Sequence, residues 1–421
     1  MMKEKLLSKI KKLKKDLVED CGISLAHVFV EIDPNVQKDS FYTDIGERFI
    51  TITGQTEADL FYGLLDLLQK VKTREILRIG LSESLAPERG LHVDCGRKYY
   101  TKASFISMID LMALNKLNIL QMHFSEYLGY RIESKKFPEI TSREHLTQKD
   151  IKEIINYAKE YYIDVVPSFD SPGHLEYVLK YYPEHQMPNL KTGINITSNE
   201  AREFIKSLYD EVLEIFDHTN IIHMGGDEFI DFNEYHKYPE LEQYAKENIS
   251  KDATAADTFL DYINDIGEYL MSKGKDVRIW NDGFYRLNIK NTLELNPNFV
   301  ITHWTSWHKD MAPLQTFIDK NHRVINYNDT NLYYVVGENA GYTYPTKEKI
   351  EENFEIYNFS KLHKDASDNT DQNMSVKDPR MIGSYFAIWS DSPEAKHETD
   401  IYRDLNPLLE VFGKKFWGFT N

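Results

Sequence analysis

The chain has 421 residues, 41% of them hydrophobic, which is enough for one (β/α)8 barrel of roughly 250 residues or more plus a smaller accessory domain. Lys and Arg total 50 against 67 Asp and Glu, and the net charge of -17 opposes phosphate backbones and anionic bilayers, so neither nucleic acid nor a membrane is an expected partner. Only Cys21 and Cys95 are present, far apart and without a neighbouring Cys or paired His, which argues against a disulfide framework or a zinc knuckle and fits a reducing, cytoplasmic location.

The basic opening stretch has Leu6, Leu7, Ile10, Leu13 and Leu17 at helical spacing and reads as an amphipathic helix, not a signal peptide. Nowhere do eighteen apolar residues run together, so the chain is expected to be soluble. HVFVEID (27–33) and RFITITG (48–54) read as strands separated by a polar loop, and TEADLFYGLLDLLQKV (56–71) reads as an amphipathic helix. These elements predict a small α+β accessory domain over residues 1–80. The pattern breaks at ESLAPERG, and the catalytic barrel is expected over 81–421.

From Arg89 onward, apolar runs alternate with amphipathic stretches. The strand candidates are RGLHVDC, NILQMHFS, DVVPSFD, IIHMGGDE, DVRIWND, NFVITHW, HRVINYN and MIGSYFAIW. Eight strands with helices between them predict a closed parallel (β/α)8 barrel, an α/β fold. The stretch 337–380 is long, and its second half, HKDASDNTDQNMSVKD, reads as polar loop with no assigned role.

Barrel chemistry sits at the carboxyl ends of the strands, so the polar residues that end each run are the candidates. Asp94, Glu126, Asp170, Asp227 with Glu228, Asp282, Trp304, Asn328 and Trp389 to Asp391 all fall there. In HMGGDE two glycines let the backbone turn sharply out of a strand, and two adjacent carboxylates follow.

RGLHVDCGRKYY, MHFSEYLGYRIESKKFPEIT, VPSFDSPGH and HMGGDE, in this order, resemble the glycoside hydrolase family 20 β-N-acetylhexosaminidases over roughly residues 50 to 415. The resemblance implies a retaining, substrate-assisted reaction in which the sugar's own acetamido oxygen attacks the anomeric carbon to give an oxazolinium intermediate. It assigns Asp227 to orienting the acetamido group and Glu228 to general acid and base work, and requires no cofactor and no metal. It further implies Arg89 as a grip on the sugar hydroxyls, Trp280, Trp304 and Trp389 as the pocket wall, and Tyr333 or Tyr334 as the donor to the acetamido oxygen. Asp391 stands where the family commonly has Glu. Glu126, Asp170, His174 and His223 are implied as the groups behind Glu228. The usual Asp-Asp pair of the second-strand motif reads Glu126-Tyr127 here, marking a divergent member.

The expected partner is a small carbohydrate, terminal β-linked N-acetylglucosamine or N-acetylgalactosamine, with lacto-N-biosidase-like disaccharide release as the alternative; a homodimer is compatible with the sequence. Three rival readings stand beside this one. A metal-dependent hydrolase would use His92, His123, His174 and His223, but no HxH or HExxH occurs. A non-catalytic sugar-binding barrel would not need both carboxylates. A two-carboxylate mechanism with Asp227 as nucleophile would need the pair about 5 Å apart across the scissile bond, which adjacent residues rarely achieve.

Overall fold

The computed structural model describes residues 1–363, 370–376 and 378–420. The amphipathic opening is two helices, α1 (Met2–Leu13) and α2 (Lys15–Glu19), because the backbone extends at Lys14. Leu6, Ile10 and Leu17 nevertheless share one buried face. Strands β1 (Val28–Ile32) and β3 (Ile50–Gly54) occupy the expected runs. The connection between them is not a loop throughout, since Ser40–Ile45 forms β2, with Phe41 turned into the core and Tyr42 outward.

Helix α3 (Glu57–Thr73) is started by a reciprocal cap between Thr56 and Asp59. It lies so close to the sheet that a Cβ on Gly63 would stand 2.4 Å from Ile52, so only glycine fits there. Strand β4 (Gly80–Ser84) completes this part of the sheet.

The barrel follows in eight parallel strands. Chain order gives β5 (Glu88–Asp94), β6 (Ile119–His123), β7 (Asp164–Ser171), β8 (Ile221–Gly225), β9 (Asp276–Trp280), β10 (Val300–His303) and β11 (Val324–Asn326). A short β12 (Tyr333–Val335) comes before the eighth barrel strand, β13 (Met381–Trp389), and lies against its carboxyl half. β13 pairs with both β11 and β5, which closes the ring. All eight coincide with the runs read from the sequence.

Helices α4 (Lys102–Leu114), α5 (Gln148–Glu160), α6 (Asn199–Ile215) and α7 (Ala255–Ser272) follow the first four strands. Among the described residues no helix joins β9 to β10. That connection is rich in Asn and contains Gly283 and Pro297, and its backbone is held by Asp257, whose Oδ1 accepts from the N–H groups of Thr292 and Leu293 at 2.7 and 2.9 Å. Later helices include α8 (Leu314–Asp319), α9 (Lys347–Asn353) and α10 (Glu398–Lys414).

A last strand, β14 (Trp417–Thr420), leaves the barrel and pairs antiparallel with β4, giving the accessory sheet the order β1-β3-β2-β4-β14. The division expected at residue 80 is corrected at both ends, because β4 and β14 belong to the accessory sheet. The polar stretch 363–378 is corrected in part. Gln372–Asn373 pairs antiparallel with Asn358–Phe359, while residues 364–369 and 377 lie outside the described residues. No helix among the described residues is long and apolar enough to cross a membrane.

Candidate active site

The carboxyl end of the barrel opens into a cleft of about 440 Å³. β8 ends in Gly225, which with Gly226 takes positive φ (79° and 93°) and swings the chain toward the barrel mouth. Gly225 is also sterically required, since a Cβ there would lie 2.7 Å from Asp170. Asp227 and Glu228 follow directly and both line the cleft. Glu228 holds a left-handed φ of 44° without being glycine, the kind of local strain that a surrounding site must sustain.

One imidazole faces both carboxyls. His174 Nε2 lies 3.5 Å from Asp227 and 3.6 Å from Glu228, and its Nδ1 lies 3.1 Å from Glu126. Glu126 in turn meets His123 at 3.2 Å and Arg97 at 2.7 Å, and Arg97 also pairs with Asp94 at 2.8 Å. Burial alone would push the Glu126 carboxyl up, but His174, Arg97 and His123 outweigh it and hold it well below the usual carboxylate range. Burial would likewise neutralise His174, yet Glu126 and Asp227 raise it well above an ordinary imidazole.

Glu228 is shifted the other way. Its side chain is 55% exposed at the mouth, but the concave wall removes enough solvation to raise its carboxyl, with Asp227 adding to the effect and His174 opposing it. A carboxyl raised above its ordinary value keeps its proton further toward neutral pH. One oxygen of Asp227 is buried without a hydrogen-bond partner among the described residues, and so can accept from a bound ligand.

Indole rings wall the cleft. Trp280 ends β9, Trp389 ends β13 and Trp304 follows β10, and all three line the cleft with Tyr333 and Asp391. Trp304 and Tyr333 are parallel within 3°, and Trp389 packs against His92 at 4.5 Å. Sugar faces and acyl methyl groups suit such surfaces.

Two sequence assignments are corrected. Arg89 is the second residue of β5, at the amino end of the strand and so at the opposite end of the barrel. Its fully buried guanidinium donates to Lys116 O and Ser84 and sits over the Tyr62 and Trp417 rings, joining the barrel to the accessory sheet. It cannot touch a ligand in the cleft. Tyr334 points outward, donating to Asp404 on α10 at 2.6 Å, because neighbours on a strand face opposite sides; Tyr333 is the one that lines the cleft.

His223 and Asp170 lie behind the cleft and do not line it. His223 bonds Thr302 at 2.8 Å and packs under Trp280. Asp170 is buried, pushed up to about 7 by desolvation against the opposing pull of His123, with Asp227 adding to the rise.

Sequence reasoning missed Arg97, Trp307, Asp329 and Tyr342, all of which line the cleft. Arg97 carried a signal, since it lies three residues beyond the end of β5 and Arg89 does not. Tyr342 comes from the 337–380 stretch that had no assigned role, and its hydroxyl donates to Asp329 at 3.0 Å. The groups His123, Glu126, Asp170 and Asp170, His174, Asp227 have donor atoms close enough for a cation. Glu126, however, already has Arg97 as its positive partner.

Parallel barrels place their chemistry at this end, and paired carboxyls under an indole wall suit glycoside hydrolysis, the class to which the family match assigns the barrel. The model of the glycosyl hydrolase family 20 catalytic domain matches residues 87–410, and this chain belongs to that family. It is 26% identical over 388 residues to the lacto-N-biosidase of Bifidobacterium bifidum, covering 90% of this chain and 33% of that protein. It is 29% identical over 239 residues to the beta-hexosaminidase subunit alpha of Bos taurus, covering 52% and 42%. The chain thus spans less than half the length of these curated relatives. Among solved structures, a beta-N-acetylhexosaminidase from Bacteroides fragilis shares the fold with a TM-score of 0.74 at 23% identity, over 98% of this chain and 85% of that one. Dispersin B aligns with a TM-score of 0.63 at 26% identity, over 78% and 99%.

Proposed function

We propose that this chain removes terminal β-linked N-acetylhexosamine residues with retention, the substrate's acetamido oxygen acting as nucleophile. The observation that carries this is the side-by-side placement of Asp227 and Glu228, both within 3.6 Å of one His174 nitrogen. Adjacent residues at one strand end that meet the same imidazole favour this over a protein nucleophile, which has to face the acid across the scissile bond. Asp227, with one free buried oxygen, takes the acetamido N–H and steadies the positive charge that develops. Glu228, its proton retained by desolvation, protonates the leaving oxygen and then activates water. Trp280, Trp304 and Trp389 enclose the acyl methyl, and Tyr333 donates to the acyl oxygen. Arg97, held by Asp94 and Glu126, takes the hydroxyl-gripping part first given to Arg89.

A second reading is release of a disaccharide. It is favoured by the alignment with lacto-N-biosidase over 90% of this chain and by Asp391, one methylene shorter than Glu. Aryl β-glycosides decide both points. Hydrolysis of the 2-acetamido sugar and not of its 2-hydroxy counterpart is expected, and equal rates on the two would reject acetamido participation. Cleavage of an aryl glycoside whose N-acetylhexosamine bears a further sugar, with the single-sugar substrate untouched, selects the disaccharide reading.

A further inference from the structure

We propose that Asp282 is a positioning residue that ties the general acid to the pocket wall, one carboxylate holding Glu228 and Trp304 together. The proposal rests on the assignment of Glu228 as the acid. Asp282 lies two residues past the end of β9 and is 3% exposed. Its Oδ2 accepts from the backbone N–H of Glu228 at 3.3 Å, and its Oδ1 accepts from the indole N–H of Trp304 at 3.1 Å.

Loop support does not account for this. The neighbouring Asn281 already fixes the local chain, accepting from the Trp304 backbone N–H at 2.9 Å and donating to Thr305 O at 2.8 Å. Asp282 addresses different atoms, the backbone of the residue with the strained φ and the side chain of the wall. A neutral amide would fill the same space, yet the position carries a third carboxyl beside Asp227 and Glu228. Burying it there costs free energy unless it serves the site.

Charge on either Asp282 or Glu228 disfavours ionisation of the other, so the two carboxyls titrate as a linked pair. Asp282 is faced by Asp227 and Glu228, and Arg286 donates to its main-chain oxygen. Glu228 is faced by His174, Asp227, Arg97, Glu126 and Tyr342. Desolvation, then Asp227 and Glu228, push the Asp282 carboxyl up to about 7, so its charge changes within the working range of an acid at this site.

The test is the pH dependence of kcat/KM for an aryl N-acetyl-β-glucosaminide, with folding checked by circular dichroism. Asp282→Asn is expected to move the basic limb to lower pH by about half a unit or more, because the like charge is gone, and to raise KM as Trp304 loosens. Trp304→Phe keeps a ring, removes the indole donor and makes Asp282 harder to ionise. It should move the limb the same way by less, and it decides alone if Asp282→Asn does not fold. A basic limb within about 0.2 pH units of the parent in the folded variants overturns the proposal, since a scaffold role would leave that limb in place. A folded parent chain without activity sinks the hexosaminidase reading and this proposal together. An active parent with unmoved limbs sinks this proposal only.

Discussion

Arg97 Nη2 stands 2.7 Å from Glu126 Oε1, and that contact places a guanidinium in the cleft while anchoring the carboxylate behind His174. Arg97→Lys keeps the charge and loses the fork. Its kcat/KM on an aryl N-acetyl-β-glucosaminide should fall roughly 10- to 100-fold, the worth of one or two charge-assisted hydrogen bonds. A value within twofold of the parent would remove Arg97 from the sugar site.

Arg89 should behave in the opposite way. Its guanidinium is fully buried at the junction of barrel and accessory sheet. Arg89→Ala should cost about 3 kcal/mol of unfolding free energy, measured by urea titration, with kcat/KM per folded molecule nearly unchanged. Lost activity at full stability would return Arg89 to the site.

The proposed roles of Asp227 and Glu228 should separate by leaving group. Glu228→Gln should reduce turnover about 100-fold or more on oligosaccharides and far less on substrates with acidic phenols, which depart without a proton. Asp227→Asn should impair all of them, because acetamido alignment precedes departure. A Brønsted plot of rate against phenol pKa distinguishes the two, and identical slopes for both variants would contradict the division.

Asp170 gives a stability prediction whose sign is fixed. Its carboxyl, raised to about 7 by burial, disfavours the ionised form, so the native state loses stability as pH rises from about 4 toward 7. Asp170→Asn removes that loss. By calorimetry the variant should match the parent near pH 4 and melt ~2–4 °C higher at pH 8. A constant offset across the range would mean that packing, not charge, governs the difference.

The barrel was legible because eight runs each combined β-branched or apolar residues with a polar terminus, as in DVRIWND and IIHMGGDE. The carboxylate pair and three tryptophans were legible for the same reason. Arg89 lies in the motif but near the amino end of β5, which faces the far rim of the barrel. Tyr333 and Tyr334 could not be separated, since alternation sets their difference and register sets its sign; the pairing of Tyr333 with Ala387 supplies that sign. Asp329 and Tyr342 were invisible because they meet through a loop whose path no local pattern dictates. Strand β2 was hidden by its polar alternation, with only Phe41 fully buried among its apolar residues.

The pairing of Trp417–Thr420 with Gly80–Ser84 makes the two regions interdependent in time as well as space. Along the sequence, four strands of this sheet precede the barrel and the fifth follows it, so the sheet is complete only once all the barrel strands have been made. Until then the β4 edge lacks its partner and Arg89 lacks the Trp417 ring. Deleting Trp417–Thr420 should therefore injure assembly of the accessory sheet, hundreds of positions upstream, before it disturbs the cleft.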